Sequence, residues 1–186
     1  MERTLVLIKP DGVLRGLIGK VISTFEDAGL KIVALKLVIP TEELALKHYP
    51  ADEEWYRSLW EKTKKSAEEQ GKEFNETMQQ TGERVRNLLV KYVAGAPVVA
   101  MVVEGNEAIV NVRKIAGATS PTKADPSTLR GKYSTDSYDL ADMQARAVRN
   151  IVHASDSKET AEREIKLWFG ANEIFEYKKA DEDVVY

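Results

Sequence analysis

Arg3-Thr-Leu-Val-Leu-Ile8, followed at once by Lys9-Pro-Asp-Gly12, is the stretch on which the fold turns. A short run of branched apolar residues closed by a turn sequence reads as a buried strand. Beyond it, Leu14, Leu17, Ile18, Val21, Ile22 and Phe25 recur at helical spacing and stop at Gly29. Lys31 to Ile39 is a second strand, and Pro40-Thr41-Glu-Glu opens a helix with Thr41 as its cap. Pro97 to Glu104 is the clearest strand of the chain, and Glu107 to Ala116 a helix. Ile151-Val152 ends a short strand, and Lys158 to Phe169 forms a helix with Ala161, Ile165 and Trp168 inward. The order is βαβ, then β-α, then β-α. It suits a small sheet with helices on one face, and leaves a doubly wound sheet open.

Two stretches differ in texture. Residues 51–84 mix both charges densely around Trp55, Leu59 and Trp60, then Phe74 and Met78, and read as an amphipathic helical excursion. Two tryptophans are hard to bury on a solitary excursion, so they should pack on the core or on a neighbouring subunit. Val85 to Val93 resumes a helix with an apolar face. Gly117 to Tyr133 is rich in Thr, Ser and Pro and carries Lys123, Arg130 and Lys132. Ser134 to Met143 is polar, a loop or short helix, and the tail from Lys178 is charged and peripheral.

A chain of 186 residues suggests one domain. With 27 Lys and Arg against 30 Asp and Glu, the net charge of −3 argues against a general nucleic-acid binder. It leaves room for small anionic substrates held by a local cationic pocket. The absence of cysteine excludes disulfides, thiolate nucleophiles and zinc-thiolate sites. The longest apolar run, Ala96 to Val103, is too short to span a bilayer, and the N-terminus lacks a secretory segment. A cytoplasmic protein without membrane contact is the expectation. Gly16-Leu-Ile-Gly19-Lys20-Val21 fails the P-loop pattern, since no glycine stands at its first position and valine follows the lysine.

Two histidines are present. His48, in Leu46-Lys47-His48-Tyr49, reads as a surface or packing residue. His153 lies in Asn150-Ile-Val-His-Ala-Ser-Asp-Ser157, just before a helix that Asp156 or Ser157 would cap. A neutral imidazole in such a place is a good nucleophile near neutral pH. Arg113 and Arg130 flank the Thr119-Ser120-Pro121 turn, and Lys9 follows the first strand. Phosphoryl transfer needs several fixed cations of this kind, and arginine offers a fork to phosphate oxygens. So few histidines leave little for a transition-metal site. Mg²⁺ held mainly through a nucleotide's phosphates needs few protein ligands.

Together these residues resemble the nucleoside diphosphate kinase family. Thr4-Leu-Val-Leu-Ile-Lys-Pro-Asp-Gly12 is similar to its opening strand and turn. Leu88-Leu-Val-Lys-Tyr92, Gly95-Ala-Pro-Val-Val-Ala-Met-Val102, Gly117-Ala-Thr-Ser-Pro121 and Thr128-Leu-Arg-Gly131 follow in the family's order. Asn150-Ile-Val-His-Ala-Ser-Asp156 resembles its active-site signature, and Glu162-Arg-Glu-Ile-Lys-Leu-Trp-Phe169 closes the match.

The resemblance implies an α+β, ferredoxin-like βαββαβ antiparallel sheet with helices on one face. It makes residues 1–186 one domain, with a helical insertion at about 51–84 and another at 134–145, the latter looping away from the pocket. It implies reversible transfer of a γ-phosphate between nucleoside tri- and diphosphates, ping-pong, through a phosphohistidine. His153 would be the nucleophile through Nδ1, Glu164 would fix its ring, and Ser155 would assist. Lys9 would touch the moving phosphoryl group and the ribose, and Tyr49 would pack beside the phosphate path. Arg113, Thr119 and Arg130 would hold the phosphates, and Asn150 the ribose. The family's aromatic base contact falls at Val85, where a smaller contact or an aromatic such as Phe74 would serve. Ala154 stands where the family often has glycine, and its methyl group fits unless the backbone there needs positive φ. The resemblance further implies Mg²⁺ on the phosphates, no protein metal site, and a homo-oligomer, with a hexamer expected.

Overall fold

The computed structural model describes residues 1–69 and 71–185. Four antiparallel strands form one sheet in the order β2-β3-β1-β4. They are β1 (Glu2–Ile8), β2 (Lys31–Val38), β3 (Val98–Gly105) and β4 (Val152–Ala154). β1 and β3 occupy the centre, which is why both read as nearly continuous apolar runs. The first crossover contains α1 (Pro10–Leu14) and α2 (Ile18–Asp27), so Lys9-Pro-Asp-Gly12 opens a short helix instead of a simple turn. Proline suits that place, because the first helical N–H has no partner to lose.

α3 (Glu42–His48) starts on Thr41, whose Oγ1 accepts from Leu44 N at 3.1 Å. α4 (Glu53–Glu69) and α5 (Met78–Val93) follow, the latter opened by a capping box between Thr77 and Gln80. α6 (Ala108–Ala116) leads to α7 (Leu129–Tyr133) and α8 (Tyr138–Met143). After β4 comes α9 (Lys158–Trp168), capped by Ser157, and near the end α10 (Glu182–Val185).

The fold is the expected ferredoxin-like βαββαβ, but helices cover both faces of the sheet. On one face Val6, Ile8, Val99, Met101 and Val103 meet the crossover helices through Val21, Phe25, Ala108 and Val112. On the other, Leu5, Leu7, Ala100 and Val102 meet Ala45, Val90, Val93 and Trp168 from α3, α5 and α9. The one-face expectation therefore holds for the crossover helices alone. Strand alternation shows that both faces of β1 and β3 are apolar, but not which later helix covers the second.

α4 and α5 form a hairpin, and its tryptophans are half-buried, as the charge-rich background required. Trp55 packs on the second core, its ring 6.2 Å from that of Tyr49. Trp60 donates from Nε1 to the Glu76 carbonyl at 2.8 Å and lies 6.2 Å from Phe74, so the two apolar clusters of the sequence are partly one. Tyr56 lies directly on Gly82, where a Cβ would stand 2.3 Å from the ring's Cγ. Gly82→Ala is expected to cost about 1–3 kcal/mol by overpacking, read as a lower melting temperature, with part of the loss recovered in Gly82→Ala/Tyr56→Leu.

The tail is less peripheral than its charge suggests. Phe175 N donates to the Val33 carbonyl at 2.9 Å, and Lys31 Nζ pairs with Glu182 at 2.8 Å, so it runs along the start of β2. Further along that edge strand and just beyond it, Leu35, Leu37 and Ile39 remain exposed.

Candidate active site

The strand ladder places His153. Its partner across β4 and β1 is Leu7, whose side chain faces the second core, so the imidazole faces that way too. Ala154 pairs with Val6 and packs in the first core at ordinary φ, so no glycine is needed there. The backbone just before the strand is held in an unusual state. Ile151 has φ +69°, rare for a β-branched residue, and such strain costs on the order of 1–3 kcal/mol. Three contacts impose it: full burial, its carbonyl accepting from Lys9 N at 2.7 Å, and its N–H donating to Asp11 Oδ2 at 3.1 Å.

Glu164, from the middle of α9, accepts from His153 Nε2 at 2.8 Å and from the Ser155 hydroxyl at 2.7 Å, both on Oε2. Burial alone would raise this carboxyl, but the His153 ring and the other donors more than offset it and hold it well below the usual carboxylate range. An ionised Glu164 fixes the tautomer of His153. The proton sits on Nε2, and the lone pair is left on Nδ1 of a ring whose side chain is 21 % exposed.

His48 stands behind that ring, fully buried, edge-to-face with His153 at a centroid distance of 4.5 Å. It is a packing residue, as one half of the sequence reading had it, and not a surface one. Its Nδ1 accepts from Trp168 Nε1 at 3.2 Å, which leaves the proton on an Nε2 that has no partner among the described residues. Burial, aided by His153, pushes its pKa down to about 3 from an ordinary 6.5. The sign follows: between those values the unfolded chain takes up a proton that the folded one refuses, so stability rises with pH. The melting temperature is therefore expected to fall as pH drops from about 6.5 to 4.5, and more gently in His48→Gln.

The cationic side is equally built. Lys9 is buried and donates to Asn150 Oδ1 at 2.7 Å, while Asn150 Nδ2 donates to the Thr119 carbonyl at 2.8 Å. Burial and the neighbouring Arg130 push Lys9 down to about 7, so an arriving anion would draw it back to the charged form. Arg130 donates to the carbonyls of Gly117 and Val152 at 2.7 and 2.9 Å, and its Nε lacks a partner among the described residues. Burial and the charge of Arg113, exposed on α6, push it down to about 10. Gly117, at φ +83°, permits this approach, for a Cβ there would lie 2.2 Å from Thr128 Oγ1. Tyr49 caps α3 with its ring against His48 at 4.7 Å and a buried hydroxyl that has no partner among the described residues.

A family model described as nucleoside diphosphate kinase matches residues 2–67 and 59–174. The nucleoside diphosphate kinase of Pyrobaculum aerophilum is 48 % identical over 181 residues, 95 % of this chain and 99 % of that one. The chain belongs to the nucleoside diphosphate kinase family. A crystal structure of the Pyrobaculum aerophilum enzyme superposes with a TM-score of 0.89 at 46 % identity, covering 94 % of this chain and 99 % of that one. A Borrelia burgdorferi nucleoside diphosphate kinase, solved as a transition-state mimic with vanadate and ADP, gives 0.82 at 41 % identity, covering 97 % and 94 %.

Against that family pattern, the chain gathers Lys9, Tyr49, Arg113, Thr119, Arg130, Asn150, His153, Ser155 and Glu164 into one region. Val85 is half-buried on α5. Its neighbour Arg86 donates to the carbonyls of Tyr49 and Leu46 at 2.8 and 3.0 Å and so ties α5 to the site, a role that sequence reasoning missed. Phe74 is engaged with Trp60. The 134–145 stretch forms α8 and meets the α4–α5 hairpin, Asp139 lying 2.7 Å from Lys72. Among the described residues, one group has metal-ligand spacing, His48, His153 and Glu164. Two imidazoles and a carboxylate already bonded to one of them are a poor fit for Mg²⁺, which seeks oxygen. Among the described residues, no helix is long and apolar enough to cross a membrane.

Proposed function

We propose that the chain transfers the γ-phosphate of a nucleoside triphosphate to a different nucleoside diphosphate by way of phospho-His153. The observation that carries this is the His153–Glu164 pair. Nε2 is pinned by a buried carboxylate, which leaves the Nδ1 lone pair for a phosphoryl group, and Arg130 is anchored to the carbonyl of Val152, the residue just before His153. The Nδ1 lone pair forms a bond to the γ-phosphorus, and the bond from that phosphorus to the β–γ bridging oxygen breaks. The nucleoside diphosphate leaves with that electron pair. Glu164 stabilises the positive charge that develops on the ring, and Ser155 holds Glu164 in place. A terminal oxygen of the next diphosphate then attacks the same phosphorus, and the N–P bond returns its pair to Nδ1.

Arg113, Arg130 and Lys9 stabilise the charge on the transferred group in both directions. Thr119 holds phosphate, Asn150 the ribose, and Tyr49 lines the path. Mg²⁺ would be carried on the nucleotide's own phosphate oxygens and would neutralise part of their charge. Incubation with γ-labelled ATP should give an acid-labile, base-stable phosphoprotein that CDP or GDP discharges. Its absence would remove the reading.

Valine has no hydrogen-bonding group in its side chain, so Val85 gives a base apolar contact only. ADP, GDP, CDP and UDP are expected to differ modestly in kcat/KM, with the larger purines favoured. A preference beyond about a thousandfold would require hydrogen-bonded base readout and would sink this reading. The same reading makes residues 1–186 one domain with insertions at 51–84 and 134–145, working in the cytoplasm without nucleic-acid or membrane partners. It expects a homo-oligomer, a hexamer built as a trimer of dimers. The apolar row Leu35, Leu37 and Ile39 supports self-association, since an exposed apolar edge is otherwise a liability.

A further inference from the structure

The two stretches that interrupt the family pattern meet each other. Lys72, between α4 and α5, reaches Asp139 of α8 at 2.7 Å. Arg84 of α5 faces Asp142 of α8 at 3.9 Å, and is itself held by Glu76 at 2.9 Å. Glu69, at the end of α4, pairs with Lys123 of the turn that follows Thr119 and Pro121. The hairpin is basic where α8 is acidic, so the contact is complementary in charge.

Its position follows from its two roots. The hairpin is tied to Tyr49 at one end, through Trp55 and Arg86. Its other end reaches Lys123 and α8, on the segment that carries Thr119 and Arg130. The first root leads through Tyr49 and His48 to the ring of His153, and the second through Arg130 to Lys9. Tyr138 opens α8 and is about one-third exposed. Burial pushes its phenol up, while Arg130 and Lys123 pull it down.

We propose that α8 and the end of the hairpin that carries Glu69 and Lys72 form a latch across the nucleotide cleft. The inference rests on the phosphotransfer reading above. The strength of the contact suits a latch. All three pairs are exposed, and each such pair shifts an equilibrium by roughly 1.4- to fivefold. Together they favour closure without preventing thermal opening, as a ping-pong cycle that releases one nucleotide and admits another demands. Closed, the latch retains the nucleotide and keeps water from the phosphohistidine.

The chain has no cysteine, which makes the test clean. Lys72→Cys/Asp139→Cys is joined by a short bis-maleimide, and compared with the same variant capped by N-ethylmaleimide. Phosphoenzyme formation from ATP is expected to slow at least tenfold in the joined protein. Labelling by phosphoramidate, a small donor without a nucleotide, should be equal in both. Equal rates with ATP would overturn the latch. Failure of both donors on the capped protein would instead overturn the phosphohistidine reading.

A second arm decides the matter if joining itself blocks phosphoramidate. Release of a fluorescent ADP analogue is followed in Lys72→Asp, in Asp139→Lys and in the swapped double variant. Each single change should speed release two- to fivefold, and the swap should restore it. Equal release from all three and the unaltered protein would leave no latch.

Discussion

His153→Ala is expected to abolish exchange, by at least about 10⁴-fold in kcat, while ADP still binds with nearly unchanged affinity. The size follows from the division of labour in the site. Lys9 is held by Asn150, Asn150 by the Thr119 carbonyl, and Arg130 by the carbonyls of Gly117 and Val152, none of these bonds involving the imidazole. The phosphate cradle therefore outlives the loss of the ring, but no other group there can carry a phosphoryl between half-reactions. His48 cannot take over. It is walled in, its Nδ1 is engaged by Trp168, and its proton sits on the other nitrogen. The measurements are phosphoenzyme yield from labelled ATP and ADP binding by calorimetry. Turnover near the unaltered rate would remove His153 as nucleophile.

Arg130→Ala should follow in magnitude, lowering kcat/KM by about tenfold to a few hundredfold, as the loss of one charge-assisted bond of roughly 1.5–3 kcal/mol implies. It should also lower the melting temperature, because the Gly117 and Val152 carbonyls lose their donors and the residue is only 9 % exposed. Arg113→Ala separates the two effects. That side chain is exposed, so about a tenfold loss is expected with little change in melting. Arg130→Lys keeps a charge but loses the planar fork, and should fall between alanine and the unaltered protein. Steady-state kinetics and thermal melts on the three variants are the test. Neutral kinetics in both alanine variants would refute the phosphate clamp.

How much of this was legible beforehand differs from one residue to the next. The strand over residues 3–8, the helix spacing from Leu14 to Phe25 and the cap at Thr41 are local properties. Each is written in side chains a few positions apart; the strand and the cap appeared within a residue of their expected places, while the helix begins at Ile18, with Leu14 left exposed at the end of α1. β4 is an instructive miss. Its backbone bends at Ile151, so the strand starts at Val152 and includes His153 instead of ending before it.

The amino-acid sequence by itself determined the chemical inventory: one histidine in an anion-friendly setting, the arginines around Thr119, and no thiol or P-loop to compete with them. It also determined the sheet, because branched apolar runs bounded by turns have few other uses. Tertiary structure decided which groups touch. His48 reads as an ordinary helix-end residue until Trp168, 120 residues away in the chain, donates to it and encloses it behind the nucleophile. The second covered face, the lowered lysine at position 9 and the meeting of Lys72 with Asp139 are of the same kind. Periodicity records which side of an element is apolar. Burial, charge coupling and hydrogen-bond partnership arise only when distant elements pack, and their magnitudes depend on distances that no local pattern contains.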